Sequence, residues 1–526
     1  MIKKFLATLV IILMATSQMC FAEEKLSTND DFEKMTINLL DPSMKVSQLS
    51  INFDIVVSQI EAFNEFIQAT DKFKQSNVEA AYDDYKFILD NVETNDFGYT
   101  LMASKLADYG LFYLSNYACK KMADAEITKN HVDNIQKFFY PKKRLPYNEE
   151  IYLAEAYANI MFNEQSKETM EDLLAKSDLL ENFDYANYVL ALAGYKANKM
   201  SIAKQYIQVA VTQNPQNMNY KILEAKILAN GMKPQEAMKV VNQLKKEDLT
   251  EAELQRRVNS IEQYVLYKCA KKDWERNYHL GNYYYYEGNF GKSIKTLQTA
   301  LGKNKSNNAK VNALMSKVYL SMQEYEKAKD VAQKAVKKDS NNAEARMTLG
   351  NINYAQQNYK NALKDYKKAG KTNEYSTHSE VKIAQTLQRL GEEKSSKELF
   401  EKVLKESSTE YEAYYNVAMI EPFKQLAYLK KALALNIMYV DAWLGLARHE
   451  LSRDNFALAQ DYLATAFYID QNDFRYYYYQ GLLYKNQDDM QTAIMYFRKC
   501  LKLNPNCVEA QKELNLWCQK KRIFLL

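Results

Sequence analysis

Small and apolar residues recur at helical spacing along most of this chain, in pairs of short segments. In one segment, Ala362, Tyr366 and Ala369 are four and three positions apart, which places them on one stripe of a helix. The segment before it, 344–356, predicts a second helix with Gly350 in its middle. Glycine and alanine have little or no side chain, so two helix axes can approach closely at these positions. The pattern therefore predicts antiparallel helix pairs joined by short turns.

The spacing of these small residues repeats every 34 positions. The residues that share it are Ala328, Ala362 and Ser396; Ala335, Ala369 and Val403; Ala459 and Ala493; and Ala466 and Cys500. A fixed period of this length is typical of a solenoid of helix pairs, in which each unit buries its apolar face only against its neighbours. The pattern predicts a long binding surface and does not identify its ligand.

Residues at fixed positions of these units match the tetratricopeptide repeat family. The matching residues are Trp274, Leu280, Gly281, Tyr284, Gly288, Phe290 and Ala300; Gly481, Tyr484, Ala493, Phe497 and Pro505; and Ala203, Ala210 and Pro215. The chain closely resembles that family over most of its length from Tyr147 onward. The resemblance implies an all-α fold, a right-handed superhelical solenoid of antiparallel helix pairs. It implies little about function, because one fold serves many unrelated partners.

The repeats suggest how the chain is organised. The predicted segments are a secretory signal peptide at 1–22, a helical N-terminal region at 23–146 that is either separate or made of divergent repeats, repeats at 147–251, a linking helix at 252–273, repeats at 274–507, and a C-terminal capping helix with an apolar tail at 508–526. Individual units are expected at 184–217, 218–251, 274–307, 309–342, 343–376, 377–410, 440–473 and 474–507, with a shortened unit at 411–439 and weaker ones at 147–180 and 61–94. The tail at 523–526 either folds back on the capping helix or contacts a partner.

The N-terminus has the layout of a secretory signal peptide. Lys3 and Lys4 precede an apolar core, and small residues follow it before a cut expected after Ala22. Two alternatives are less favoured: a retained anchor, for which the core is short of the roughly 20 residues that span a bilayer, and a lipoprotein cut before Cys20, for which Met19 is too large. We expect an exported protein of the periplasm or cell envelope of a bacterium, or a secreted one.

Composition narrows the class of protein. The 526 residues include 13 glycines and 7 prolines, where average usage predicts roughly 60 in all, so sheets and turn-rich folds are disfavoured. The net charge of +4 and the pI of about 8.3 come with acidic and basic residues mixed along the helices. A nucleic-acid domain usually shows a concentrated basic face, so we expect no nucleic acid as a partner.

Five cysteines follow Ala22 without any Cys-x-x-Cys pair, and we interpret them as small buried residues at helix contacts.

Two motifs that suggest enzyme chemistry fail on spacing. Gly-Lys-Ser at 291–293 ends a phosphate-loop pattern, but the first glycine of that pattern would fall at Tyr286. The pair His449-Glu450 begins a zinc-protease motif, but its second histidine would fall at Arg453. We therefore expect no metal site, no cofactor and no nucleotide.

Members of the resembled family line their concave groove with the first helix of each pair. Matching unit to unit, the partner-binding residues implied here are Tyr278, Asn282, Tyr285, Lys317, Met347, Asn351, Tyr354, Gln385, Arg389, Arg448, Tyr478 and Lys485. An asparagine amide can hold a peptide backbone by donating and accepting at once, and tyrosine adds flat apolar area with a polar tip. Asn282 and Asn351 are interpreted as such peptide holders, and we expect Tyr278, Asn282, Asn351 and Tyr354 to stay clear of the helix contacts.

Together these features favour an exported, non-enzymatic scaffold that binds a peptide or protein partner through its groove. A glycan or peptidoglycan ligand is the alternative, because tyrosine-lined grooves also stack on sugar rings. An enzyme is the third class, and it would need a catalytic site in 23–146. That region has one histidine, His131, and no pair of acidic residues at a suitable spacing.

Overall fold

The computed structural model describes residues 50–524, apart from 248, 304–307 and 373–375. The signal peptide predicted at 1–22 and the last two residues of the apolar tail lie outside this part of the chain. The described residues form 28 α-helices and one short 3₁₀ turn, Pro422–Lys424, with no strand among them. The prediction of an all-α fold is confirmed.

The helices are numbered here in chain order, as α1 to α28. The first fourteen are α1 (Ser50–Lys74), α2 (Val78–Asn91), α3 (Asp96–Asp108), α4 (Phe112–Lys121), α5 (Ala125–Phe139), α6 (Tyr147–Phe162), α7 (Ser166–Leu174), α8 (Ser177–Asn182), α9 (Asp184–Lys196), α10 (Met200–Gln213), α11 (Met218–Asn230), α12 (Pro234–Leu244), α13 (Ala252–Cys269) and α14 (Asp273–Tyr286). The other fourteen are α15 (Phe290–Lys303), α16 (Asn308–Ser321), α17 (Tyr325–Lys338), α18 (Ala343–Ala355), α19 (Tyr359–Ala369), α20 (Ser376–Arg389), α21 (Glu393–Glu406), α22 (Tyr411–Ile420), α23 (Gln425–Leu435), α24 (Val440–Leu451), α25 (Phe456–Ile469), α26 (Phe474–Asn486), α27 (Met490–Leu503) and α28 (Val508–Phe524).

The chain divides into two compact units. One comprises residues 61–442, and the other contains residues 443–526. The unit 61–442 has several hydrophobic clusters along its length rather than one central core. This is expected of a repeat array, in which each helix pair packs mainly against its neighbours.

Small residues sit where the two helices of a pair cross. A Cβ atom added to Gly281, Gly350 or Gly481 would lie within 3.0 Å of the side chain sixteen positions later: Leu297, Tyr366 and Phe497 respectively. Real Cβ atoms essentially never approach other atoms so closely, so any larger residue at these positions would force the facing side chain to move. The repeat register predicted from the sequence therefore describes real helix contacts.

A left-handed residue closes the first helix of many pairs. Positive φ angles occur at Gln323, Gln357 and Gly391, and again at Asp454 and Asp488, with the same spacing of 34. This conformation ends a helix because the chain turns away from the helical path there. The recurrence shows that the period governs the turns as well as the packed faces.

The N-terminal region contains a helix pair of the same kind. Ser115 of α4 donates its hydroxyl to the carbonyl oxygen of Ala103 in α3 at 2.7 Å. The hydroxyl of Ser293 reaches the carbonyl of Gly281 at the same distance and the same separation of twelve residues. The pair α3–α4 thus shares one packing contact with the predicted repeat at 274–307.

Two stretches of the chain depart from regular helix pairs. Helix α13 occupies most of the predicted linking segment, and its apolar side chains Leu254, Val258, Ile261 and Val265 are buried. In the shortened unit, α22 ends at Ile420 and the 3₁₀ turn intervenes before α23. At the C-terminus, α28 continues through Phe524, so part of the predicted tail is helical.

The cysteines whose side chains are described are free thiols. Cys119, Cys500 and Cys507 are buried, and Cys269 is partly buried. This agrees with their interpretation as small residues at helix contacts. Among the described helices, none combines the length and the apolar character needed to cross a bilayer.

Replacing Gly350 with leucine should lower the free energy of unfolding by about 1–3 kcal/mol, because the added atoms would overlap the Tyr366 ring. The matched control is Gly291→Leu, since no heavy atom lies within 4 Å of a Cβ placed there, and it should change stability by less than about 0.5 kcal/mol. Thermal unfolding of both variants and of the wild type measures these differences in stability. A Gly350→Leu protein that melts like the wild type would contradict the repeat register.

Candidate functional site

The twelve predicted groove residues all lie on the first helix of a pair. Nine of them belong to α14, α16, α18 and α20 in the unit 61–442, and we call the surface they define the first-helix face. Arg448, Tyr478 and Lys485 belong to α24 and α26 of the other unit and are treated separately. The structure decides which of these side chains are available to a partner.

On α14, the two predicted tyrosines take part in helix packing. Tyr278 and Tyr285 are partly buried against the cluster that contains Trp274 and Leu297. The expectation that Tyr278 stays clear of the helix contacts is therefore wrong. The reason is that a tyrosine at the rim of a helix pair can cover apolar neighbours with its ring while its hydroxyl stays polar.

Asn282, one turn away from both tyrosines, has an unusual environment. Its side-chain oxygen is closed off from solvent and accepts no hydrogen bond from any described residue. A buried acceptor without a donor costs about 1–3 kcal/mol. Of the two asparagines interpreted as peptide holders, Asn282 is the one whose oxygen is not already used within the protein.

Lys317 of α16 binds to two kinds of neighbour. Its Nζ lies 4.8 Å from the centre of the Tyr285 ring and 5.6 Å from that of Tyr286. The same Nζ lies 3.4 Å from the carboxylate of Glu344 on α18. A cation held between rings and a carboxylate is satisfied inside the protein, so a partner would have to compete for it.

On α18, all three predicted residues are engaged. Tyr354 is partly buried against the cluster that contains Met347 and Tyr366, so the expectation that it stays clear of the helix contacts is wrong. Met347 is only 5% exposed and packs with Ala362, Tyr366 and Ala369, so the prediction that it contacts a partner is wrong. The oxygen of Asn351 accepts a hydrogen bond from the Tyr366 hydroxyl at 2.8 Å. Asn351 therefore positions a core tyrosine and is not the open peptide holder that we expected.

Arg389 is the most available residue of the first-helix face, and Tyr354 orients it. Arg389 is exposed, and its Nε donates to the Tyr354 hydroxyl at 3.2 Å. Within the described residues, nothing accepts a hydrogen bond from its two Nη groups. Its hydrogen bond with Tyr354 raises the pKa of Arg389 above its ordinary value, and Tyr359 and Tyr415 act in the same direction. The guanidinium is thus charged, oriented and open to a ligand.

Gln385 lies one turn before Arg389 and faces a partly buried ion pair. Its amide donates to Glu412 at 3.4 Å, and Lys382 lies 2.5 Å from the same carboxylate oxygen. Burial of Glu412 opposes its ionisation, but the positive charges of Lys382 and His378 outweigh that effect and hold the pKa of the carboxyl below its usual value. Gln385 therefore supports an internal network.

The three predicted residues of the other unit also differ in their contacts and exposure. Lys485 pairs with Glu513 of α28 at 2.6 Å and so binds the capping helix. The ring of Tyr478 lies 6.0 Å from that of Phe497. Arg448 is exposed on α24.

The Gly-Lys-Ser tripeptide at 291–293 contributes to the packing of α15 against α14. The hydroxyl of Ser293 is buried and donates to the carbonyl oxygen of Gly281. Gly288 has a φ of +72° at the turn between α14 and α15. Among the described residues, no three or more His, Cys, Asp or Glu side chains come together in a group that could hold a metal ion.

Two stretches of the chain match models of the tetratricopeptide repeat, residues 313–374 and residues 474–507. The second has the same bounds as the unit predicted there from the sequence. The chain therefore contains tetratricopeptide repeats at these two stretches. The solenoid of helix pairs that this family implies is therefore confirmed, and such solenoids are scaffolds for protein–protein interaction.

Several solved structures are similar to parts of this chain. The APC/C Cut9–Hcn1 complex matches at 13% identity over 89% of this chain and 99% of that one, with a TM-score of 0.41. The pilF protein of Pseudomonas aeruginosa matches at 21% identity over 46% and 96%, with a TM-score of 0.26. A tetratricopeptide repeat protein of Parabacteroides merdae matches at 16% identity over 67% and 98%, with a TM-score of 0.26. At these values, none of the three assigns a function to this chain. The comparison with curated proteins gives no significant match.

The sequence interpretation missed a set of ion pairs between neighbouring tetratricopeptide repeats. Lys317 pairs with Glu344, Lys382 with Glu412, and Lys485 with Glu513. The first two ion pairs join the first helix of one helix pair to the first helix of the next, α16 to α18 and α20 to α22. The third joins α26 to the capping helix α28. A lysine and a glutamate about one repeat apart on first helices is the sequence signal that could have revealed them.

Proposed function

We propose that this protein is an exported, non-enzymatic scaffold that binds an extended, acidic segment of a partner protein along the first-helix face of the unit 61–442. The observation that carries the proposal is Arg389. Its Nε is held by Tyr354, and its two Nη groups are without a described partner. A guanidinium presents parallel N–H donors that match a carboxylate, and such bidentate pairs are among the stronger hydrogen bonds in proteins.

The surroundings of Arg389 favour a peptide over a glycan. A sugar would need open tyrosine faces, but Tyr278 and Tyr285 are packed against the core and Lys317 covers the Tyr285 ring. A peptide needs a few directional polar groups along a shallow surface. Arg389 supplies a donor pair for an aspartate or glutamate side chain.

A displayed library of random ten-residue peptides, selected against the immobilised mature protein, tests the proposal. We expect selected peptides to be enriched in aspartate and glutamate. The Arg389→Gln variant should bind them about tenfold more weakly, because a hydrogen bond to a charged group is worth about 1.5–3 kcal/mol. Fluorescence anisotropy with a labelled selected peptide measures the change.

The matched control is Lys394→Gln, which also removes one positive charge. Lys394 lies on α21, a second helix, and its side chain is 92% exposed. This variant should bind the peptide as the wild type does. Selection of peptides without acidic enrichment, or equal binding by Arg389→Gln and the wild type, would contradict the proposed site.

Export makes a separate prediction. The signal peptide predicted at 1–22 should be removed, so the intact mass of protein recovered from its native host should correspond to a chain that begins at Glu23. A mass that includes the first 22 residues would show a retained anchor. A mass that begins at Cys20 and carries a lipid would show the lipoprotein route.

A further inference from the structure

Two helices that are about 300 residues apart in the chain are fastened together within the unit 61–442. The amide of Asn130 on α5 donates to the carbonyl oxygen of Ala434 at 2.8 Å. Lys430 of α23 lies 2.9 Å from Asp124 and 2.7 Å from Glu126 at the start of α5. This junction joins early helices of the unit to late ones, so it closes the unit in a way that the repeat contacts alone do not.

His131 lies at the centre of the junction. It is 1% exposed. Its Nδ1 lies 2.6 Å from a carboxylate oxygen of Glu251, and its Nε2 lies 2.8 Å from the carbonyl oxygen of Leu433. The ring therefore connects α5, the residue just before α13 and the last turn of α23.

Both partners of the imidazole are acceptors. A backbone carbonyl cannot donate, and a carboxylate accepts only. A neutral imidazole carries one N–H and can satisfy one of these two contacts, whereas the imidazolium carries two and satisfies both. Both hydrogen bonds of the His131 ring can therefore form at once only when the ring is the imidazolium cation.

The surroundings stabilise the positive charge. Leu433 and Ala434 belong to the end of α23, where unpaired carbonyls give the helix a partial negative charge. The other carboxylate oxygen of Glu251 accepts from the amide of Asn134 at 2.6 Å, which holds the carboxylate in place. Burial lowers the pKa of His131, but Glu251 and the Leu433 carbonyl outweigh burial and raise it above its ordinary value of 6.5.

The remaining charged groups at the junction pair with one another. Lys430 on α23 faces Asp124 and Glu126, as described above. At the other end of α5, Glu247 pairs with Lys221 of α11 at 3.0 Å and lies 3.9 Å from Lys137. Glu251 is therefore the charge that acts directly on His131.

We propose that His131 is a pH-operated latch, which holds α5 against α23 and Glu251 while its ring is protonated and releases them when the proton leaves. A group whose pKa is raised on folding contributes its full stabilisation below its unfolded value, near pH 6.5. That contribution is lost as the pH rises through the higher folded value. The latch is thus closed in acid and weakens toward alkaline pH. The neutral ring has one N–H, so either the Nδ1 lone pair faces the Glu251 carboxylate or the Nε2 lone pair faces the Leu433 carbonyl oxygen.

Hydrogen–deuterium exchange of the whole protein at pH 6 and pH 9, corrected for intrinsic exchange rates, tests the latch. We expect peptides from 125–139 and 425–439 to lose at least tenfold in protection between the two pH values. Peptides from α16 and α17 in the same unit provide the internal reference and should not change. Equal protection at both pH values in the two junction segments would overturn the proposal.

The Glu251→Gln variant separates the latch from a merely structural contact. Its amide can donate to Nδ1 while its oxygen still accepts from Asn134, so a neutral His131 keeps both of its contacts. We expect this variant to keep the junction protected at pH 6 and pH 9 alike. A pH response like that of the wild type in Glu251→Gln would refute the role of His131. The His131→Gln variant should show low protection at both values, and the Glu251→Gln result decides the question even if His131→Gln does not fold.

Discussion

Replacing Glu150 with glutamine should make the protein more stable at neutral and alkaline pH and remove part of its pH dependence. Glu150 lies on α6 and is only 4% exposed. Its two carboxylate oxygens lie 3.1 and 3.3 Å from the backbone nitrogen of Tyr113, at the start of α4. Helix α4 begins after Leu111, which has no side-chain acceptor, so Glu150 caps this helix from another part of the chain.

The sign of the effect follows from the pKa. Burial raises the pKa of Glu150 from 4.5 to about 7, although the Tyr113 amide and Arg144 act in the opposite direction. Between these two values the folded protein binds more protons than the unfolded chain does. Stability therefore falls as the pH rises, and a shift of this size corresponds to about 3 kcal/mol.

Glutamine keeps the acceptor for the Tyr113 amide but carries no charge at any pH. The difference in the free energy of unfolding between Glu150→Gln and the wild type should grow by about 3 kcal/mol from pH 4.5 to pH 8. Denaturant unfolding across this range measures it. Glu155→Gln on the same helix is the control, since Glu155 is exposed. A constant difference between the Glu150→Gln and wild-type curves would show that the carboxyl ionises freely in the folded state.

Asp184→Ala should cost about 2–4 kcal/mol, because it leaves several donors without an acceptor in a buried place. Asp184 is 3% exposed at the start of α9. One of its oxygens lies 3.0 Å from the backbone nitrogen of Lys142, 3.1 Å from the Asn214 amide and 3.2 Å from the Tyr220 hydroxyl. The residue fastens the loop after α5 to α9, α10 and α11.

Two further variants make this prediction specific. Asp184→Asn keeps one acceptor oxygen and should lose less than half as much stability as Asp184→Ala. Asp178→Ala removes an exposed carboxylate from the first turn of the neighbouring helix α8 and should change stability by less than about 0.5 kcal/mol. Thermal and denaturant unfolding of the three variants measure the order. Equal losses for Asp184→Ala and Asp178→Ala would show that the loop is held by other contacts.

The loop held by Asp184 illustrates how far the sequence could be interpreted. Its lysines and prolines at 141–146 look like a break between the N-terminal region and the repeats. In the structure the loop is attached to later helices by buried hydrogen bonds. Polar composition reports that a segment is not helical, but it does not report what the segment binds.

Which residues of a first helix are open to a partner also depended on the structure. Unit-to-unit matching assigns Met347, Asn351 and Tyr354 to the groove alike. In the structure Met347 is buried, Asn351 accepts from Tyr366, and Tyr354 packs against the core while it contacts an exposed arginine. A helical period of 3.6 places a residue on a face to within a quarter turn or so. Neighbouring side chains then decide whether it packs, hydrogen-bonds internally or stays open.

The sequence by itself determined the helix pairs and their register, because those contacts are local. Gly350 meets Tyr366 sixteen residues later, and the same separation recurs with each repeat, so the pattern is visible in the chain. The contacts of His131 with Leu433 and of Lys430 with Asp124 were decided only by the tertiary structure. Each repeat adds a small rotation to the array, and where two helices about 300 residues apart meet depends on the sum of those rotations, which no local pattern records.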